Sequence, residues 1–329
     1  MMRRGIAFLF LIVLFTWTIV TVSGEWETIR KEIDTFIETV DQWERGEGLE
    51  GATTSPDQEQ SSKEPTEALP DEKLQGESVR TIYGTSWVLS EIGNGNVVFG
   101  DEEGTGKYIW KPEEGFGEVN VGASASSVAE AWGEPEESVR RGMTNVSFPA
   151  DHYDIYVRDD KEITVFYDRH EGNIVKSIYV VSQGQATGMN RYYAQAENWV
   201  DEDQAQIMFG LINKDRVSRG LNPLTWREEL VPVAEAHSKD MNRRDYFSHT
   251  NPDGEGPADR AKEAGISFRM IGENLAYGQS NAVYAHEGLM DSKGHRENIL
   301  NPHYEEVAIG IDVNDEGAPY FTVLFYTGR

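Results

Sequence analysis

The 329-residue sequence contains no cysteine. Disulfides, thiolate metal sites and cysteine nucleophiles are therefore excluded, and an exported chain of this kind must rely on the size of its cores. Positive charge is also scarce: 30 Lys and Arg stand against 57 Asp and Glu, a formal net charge of −27. Nucleic-acid binding needs a Lys/Arg-rich surface, so no nucleic acid is expected as a partner. The same charge repels an anionic membrane surface and attracts cations. Long apolar runs are missing except at the start, where Arg3 and Arg4 precede the stretch from Ile6 to Val22. As a helix at ~1.5 Å per residue it would span roughly 25 Å, marginal for a hydrocarbon core of about 30 Å. Residues 1–24 read as a signal peptide or an uncleaved membrane anchor, with the acidic chain exported in either case.

Residues 25–46 carry Trp26, Ile29, Ile33, Phe36, Ile37, Val40 and Trp43 at three- and four-residue steps, the pattern of an amphipathic helix. Residues 47–78 are dominated by Glu, Ser, Thr, Pro, Gln and Gly. So little apolar surface cannot offset ordering entropy, and a disordered acidic linker is expected.

Residues 79–182 read as a small α+β domain. Short strands are predicted at Trp87-Val88-Leu89, Asn96 to Phe99 and Lys107 to Trp110. Gly100 to Lys107 faintly matches a phosphate loop, but its glycine spacing is wrong and Tyr108 replaces the Ser/Thr, so a hairpin is expected. Ser127 to Glu130 suggests a capping box for a helix ending at Trp132, and three strands follow between Tyr153 and Val181. His152 and His170, at strand ends without partner motifs, read as surface residues. After a connector, residues 183–202, a second domain occupies residues 203–329. Helices are predicted around Ile207 to Ile212, Leu230 to Arg243, Pro257 to Ala264 and Ala282 to Met290, then an antiparallel hairpin from Val307 to Tyr326. Helices flanking such a sheet give an α-β-α sandwich, so the chain as a whole is α+β.

The chemistry-bearing stretch runs from Tyr246 to Pro302. It holds Phe247-Ser248-His249-Thr250, Gly272-Glu273-Asn274-Leu275 and Ser292 to Leu300, which includes His295. Neutral imidazole with carboxylate oxygen can hold a borderline divalent cation or move protons. Taken singly, each residue also suits a buried hydrogen-bonded network joining sheet to helices; the trio together points to a cleft. Other motifs fall away. His286-Glu287 begins a zinc-protease pattern, but Met290 stands where the second histidine belongs. His237 lies among apolar helical positions and reads as a core or boundary residue. No Gly-x-Ser-x-Gly elbow is present. Ser292, His295 and Glu273 form only a weak candidate for a hydrolytic triad.

Six motifs occur in order: Asn213 to Arg216, Leu221 to Trp226, Ala236 to Met241, Phe247 to His249, Gly272 to Leu275 and Gly294 to Leu300. Over residues 203–329 this closely resembles the bacterial branch of the CAP superfamily, the SCP-like extracellular domains related to cysteine-rich secretory, antigen 5 and pathogenesis-related proteins. Residues 79–182, through Ser127-Val128 to Trp132-Gly133 and Pro135, resemble the CAP-associated N-terminal domain of some Gram-positive proteins. The resemblance implies a cleft lined by two histidines, matched by His249 and His295, and two acids, one matched by Glu273. The second acid has no clean counterpart; Ser292 stands near its place, with Asp291 beside it and Glu287 a turn earlier. It also implies an optional divalent metal (Zn, Mg or Ca) on His249, Glu273 and His295, with the fourth position open.

Three functions follow as expectations. The first is a cell-surface binding module for a wall component, peptide or lipid. The second is a metal-dependent hydrolase with catalytic Glu273 and His295, Glu273 being the base. The third is a structural protein that docks a protein partner through residues 79–182. CAP relatives vary too widely in activity for fold to choose.

Overall fold

The computed structural model describes residues 77–329, apart from 93–95, 102–105, 148–149, 190–191 and 195–197. The expected leader, amphipathic helix and nearly all of the acidic linker lie outside the described residues. Among the described residues, no helix is long and apolar enough to cross a membrane.

Alternating apolar residues build the first sheet. Its strands are β1 (Glu77–Arg80), β2 (Ser86–Ile92), β3 (Asn96–Gly100) and β4 (Lys107–Ile109). After the small hairpins β5–β6 (Gly115–Phe116, Val119–Asn120) and β7–β8 (Val139–Arg141, Thr144–Val146) come β9 (Tyr153–Arg158), β10 (Lys161–Asp168) and β11 (Ile174–Ser182). The seven-stranded order is β1-β2-β3-β4-β11-β10-β9. Gly100 pairs with Lys107 in an antiparallel ladder, as the hairpin reading of that glycine-rich segment requires.

Both faces of β10 are covered, and strand alternation assigns each residue its side. Ile163, Val165 and Tyr167 pack with Val128 and Trp132 of helix α1 (Ala125–Trp132). Phe166, on the opposite face, packs with Tyr284 in a core that continues from this sheet to Phe321 and Phe325 near the C-terminus. Helix α1 is capped by Ser124, whose Oγ accepts from the backbone of Ser127. The expected cap at Ser127 is thus corrected: the run of serines hides which one leaves helical geometry.

After α2 (Gln183–Gly188), the chain continues with α3 (Asp201–Val217) and the short strand β12 (Thr225–Trp226). There follow α4 (Val231–Arg244), α5 (Pro257–Glu263), β13 (Met270–Tyr277), α6 (Ala282–Asp291), α7 (Lys293–Ile299), β14 (Glu306–Val313) and β15 (Pro319–Thr327). The four-stranded order is β12-β14-β15-β13, which makes β13 an edge strand. The sequence pattern did not mark β13, because Gly272-Glu273-Asn274 interrupts its apolar alternation.

The layers are α-β-α. Phe321, Val323 and Phe325 face α3 and α6, while Leu324 and Tyr326 face α4 with Leu230, Val233 and Ala234. Each such side chain contributes about 1.5–3 kcal/mol on burial. Gly310 lets α4 lie directly on the sheet: a Cβ there would come within 2.0 Å of the Glu235 amide nitrogen.

Candidate functional site: a polar cluster at the sheet edge

Three elements meet at the edge strand β13. Glu273 projects from the strand itself, His249 from the loop after α4, and His295 from the first turn of α7. Glu273 is the buried member, with its side chain 1% exposed against 52% for His249. One carboxylate oxygen lies 2.9 Å from His249 Nδ1 and the other 2.5 Å from Arg260 Nη2. Arg260, on α5, also donates to the His249 and Glu255 carbonyls at 2.9 and 3.0 Å. One guanidinium therefore holds both the carboxylate and the loop that carries His249.

His295 is half-buried, and its Nδ1 lies 2.9 Å from Ser292 Oγ. Ser292 is the N-cap of α7, yet its hydroxyl makes no cap bond to the backbone and goes to the imidazole instead. Burial, and then the nearby His249 charge, hold the His295 ring below the ordinary histidine range. The ring is therefore neutral at neutral pH. Beneath it, Asn274, fully buried, donates to the His295 carbonyl at 2.9 Å. Asn298 donates to Asn274 Oδ1 at 2.9 Å and to the Glu273 carbonyl at 3.3 Å.

The structure thus brings His249 and Glu273 into contact and places His295 within electrostatic reach of His249. It does not bring Glu273 onto His295. Both carboxylate oxygens are engaged, and among the described residues no group of three or more His, Asp or Glu is placed to hold a metal ion. The donor set does not fit the three-ligand metal centre that the resemblance implies.

The two acids considered for the missing position face away. Glu287 is 1% exposed and turns toward the first sheet, where it accepts from Tyr108 and from Ser177 Oγ at 3.0 Å and pairs with Lys176. Asp291 accepts from Arg169 Nε at 2.7 Å and lies 3.7 Å from His152. The Asp291 carbonyl lies 2.6 Å from His170 Nε2. The reading of His152 as a surface residue is thereby corrected, because it is partly buried against α6, distant in sequence, whereas His170 is exposed as expected. His286 is buried and lies 2.7 Å from Asp215, which Lys214 also approaches to 3.0 Å. His237 is 1% exposed, a core residue as its helical setting suggests, and contacts the Ser248 carbonyl at 3.0 Å.

Sequence reasoning missed Arg260, Asn274 and Asn298. The two asparagines lie inside motifs already singled out. Arg260 carries no local signal, since its role depends on α5 folding back over β13.

Residues 209–326 match the family model described as the cysteine-rich secretory protein family, CAP. Over 100 residues the chain is 41% identical to YkwD of Bacillus subtilis, covering 30% of this chain and 39% of that protein. Over 118 residues it is 35% identical to the membrane protein YlbC of the same organism, covering 35% of this chain and 34% of that one. The chain thus spans well under half the length of these curated relatives. An extracellular SCP-domain protein from Bacillus anthracis superposes with a TM-score of 0.64 at 22% identity, over 77% of this chain and 89% of that one. A cysteine-rich secretory protein from Staphylococcus aureus gives 0.56 at 16% identity, over 73% and 82%. The shared fold therefore extends well beyond the matched segment. Residues 209–326 form a CAP domain of the cysteine-rich secretory protein family.

Proposed function

We propose that the chain is an exported cell-surface protein whose CAP domain binds a polar ligand, a wall component or a peptide, in the cleft of His249, Glu273 and His295. The basic and apolar N-terminus of the sequence supports export and tethering. The observation that carries the binding reading is the engagement of both Glu273 oxygens by His249 and Arg260. A carboxylate so occupied is a poor general base but a good orienter: it fixes the His249 ring and leaves Nε2 facing outward for a ligand. The neutral His295 ring offers a second such nitrogen. Lipid chains are disfavoured because this lining is charged and polar.

One contact favours a second reading. Ser292 Oγ and His295 Nδ1 form a nucleophile–base pair at 2.9 Å, as serine-type hydrolysis would use. Among the described residues no acid contacts the ring, which places this reading behind binding.

Sedimentation of the full chain with purified wall fragments separates the two. Binding that drops about tenfold in His249→Ala and His295→Ala, without fragment release, supports the first reading. Release of soluble fragments that disappears in Ser292→Ala supports the second. Co-sedimentation equal in all variants removes the cleft from either role.

A further inference from the structure

A concavity adjoins Arg260. It is a groove of about 680 Å3, within the range of ligand sites, formed by α4, the loop after His249 and α5. Pro232, Val233 and Ala236 give it an apolar wall, and none of His249, Glu273 or His295 lines it.

Two lining residues carry buried polar atoms without a hydrogen-bond partner among the described residues: Nδ1 of His237 and Nε of Arg260. His237 is 1% exposed, and the Arg260 side chain 9%. Their roles are opposite and assignable. His237 Nε2 faces the Ser248 carbonyl, which can only accept, so Nε2 carries the proton. Burial holds the ring below the ordinary histidine range, so it is neutral and Nδ1 presents a lone pair. Arg260 Nε is a donor only. Nature rarely leaves such atoms unmatched, because each unmade buried bond costs stability.

We propose that this groove is a second binding site, for an extended peptide recognised through a main-chain amide. Its C=O accepts from Arg260 Nε–H, and its N–H donates to His237 Nδ1. An amide is the neutral group that carries one acceptor and one donor. The rim bears both signs, with Lys239 and Arg243 opposed by Asp253 and Glu263. A mixed-charge peptide suits that rim better than a polyanion. The site is independent of the cleft reading, although Arg260 borders both.

The test uses the full chain in detergent micelles and the blocked, fluorescein-labelled peptide Ala-Lys-Ala-Glu-Ala, read by fluorescence anisotropy. Saturable binding is expected. Ala236→Tyr, which fills the groove from an exposed helix position, should weaken it at least about tenfold without moving the unfolding midpoint. His237→Phe should weaken it by about tenfold, the scale of one buried hydrogen bond. N-methylation of the peptide amides should remove binding. Unchanged affinity in Ala236→Tyr overturns the site. Equal affinity for the N-methylated peptide, or displacement by N-acetylglucosamine at the same concentration as by unlabelled peptide, overturns main-chain peptide recognition.

Discussion

Arg296 on α7 donates to Asp168 at the end of β10 across 2.9 Å, although the two lie 128 residues apart. Arg296 follows His295 directly, so the first sheet braces the helix that carries this histidine. Asp168 also accepts from Arg219 at 3.1 Å, and its second oxygen takes the His170 and Glu171 amides at 3.0 and 3.1 Å. With Lys214, Asp215, His286 and Glu287, this makes an ionic layer between the first sheet and the CAP helices.

Neutralising that layer should be costly. The Asp168 side chain is 2% exposed, so Asp168→Asn removes a buried charge from two arginines, of which Arg219 keeps Asp215 and Arg296 keeps Glu171. A loss of about 1.5–3 kcal/mol is expected, the scale for hydrogen bonds to a charged group. Urea denaturation measures it, and a loss below about 1 kcal/mol would show that the layer is not a stability element.

Acid should weaken the fold in two stages. Burial holds His152, His237, His286 and His295 below the ordinary histidine range, so they are neutral when folded. Unfolded histidines gain protons near pH ~6.5, so stability is complete above that value and declines as pH falls through it. For Glu287, burial pushes the carboxyl up, but the Lys176 and Lys214 charges prevail and draw it from 4.5 to about 2. For Asp215, the charge of Lys214 overcomes burial in the same way and holds it well below the ordinary range. Their stabilisation is present above the unfolded values and is lost as pH drops toward the folded ones. Melting temperature against pH should therefore fall first between about pH 6.5 and 5, then again below about 4.5. A flat profile from pH 7 to 5 contradicts the buried neutral histidines.

Gly310→Ala should separate α4 from the sheet. The added carbon would meet helix backbone, which cannot rotate away. Overpacking of this kind costs about 1–3 kcal/mol, more if the helix tilts. Equilibrium unfolding with an unchanged m-value is the check, and a neutral substitution would mean that α4 has room to move.

Ser292→Ala should cost little stability, below about 0.5 kcal/mol, although loss of an N-cap serine usually costs about 1 kcal/mol. The Ser292 hydroxyl serves His295 rather than the helix backbone. The substitution should instead change the histidine: its Nδ1 signal in the imidazole NMR spectrum should shift. A full capping penalty with an unmoved signal would reverse this assignment.

Much of the fold was legible in the sequence where side chains alternate or recur regularly. Strands β9, β10 and β11, helices α3, α4 and α6 and the β14–β15 hairpin all follow from such periodicity. Strand β13 escaped because its polar centre is buried by neighbours that come from elsewhere in the chain. At the candidate site, local motifs pointed to His249, Glu273 and His295, but not to which of them touch.

The sequence alone determined the α-β-α layering and the CAP motifs, because periodicity and short motifs are local properties of the chain. Tertiary structure alone decided that Glu273 serves His249 and Arg260, that His295 takes Ser292, and that Glu287 turns toward the first sheet. The reason is physical. A carboxylate's partners are set by which donors arrive within about 3 Å, and α5, β11 and α7 reach those positions only after the layers pack.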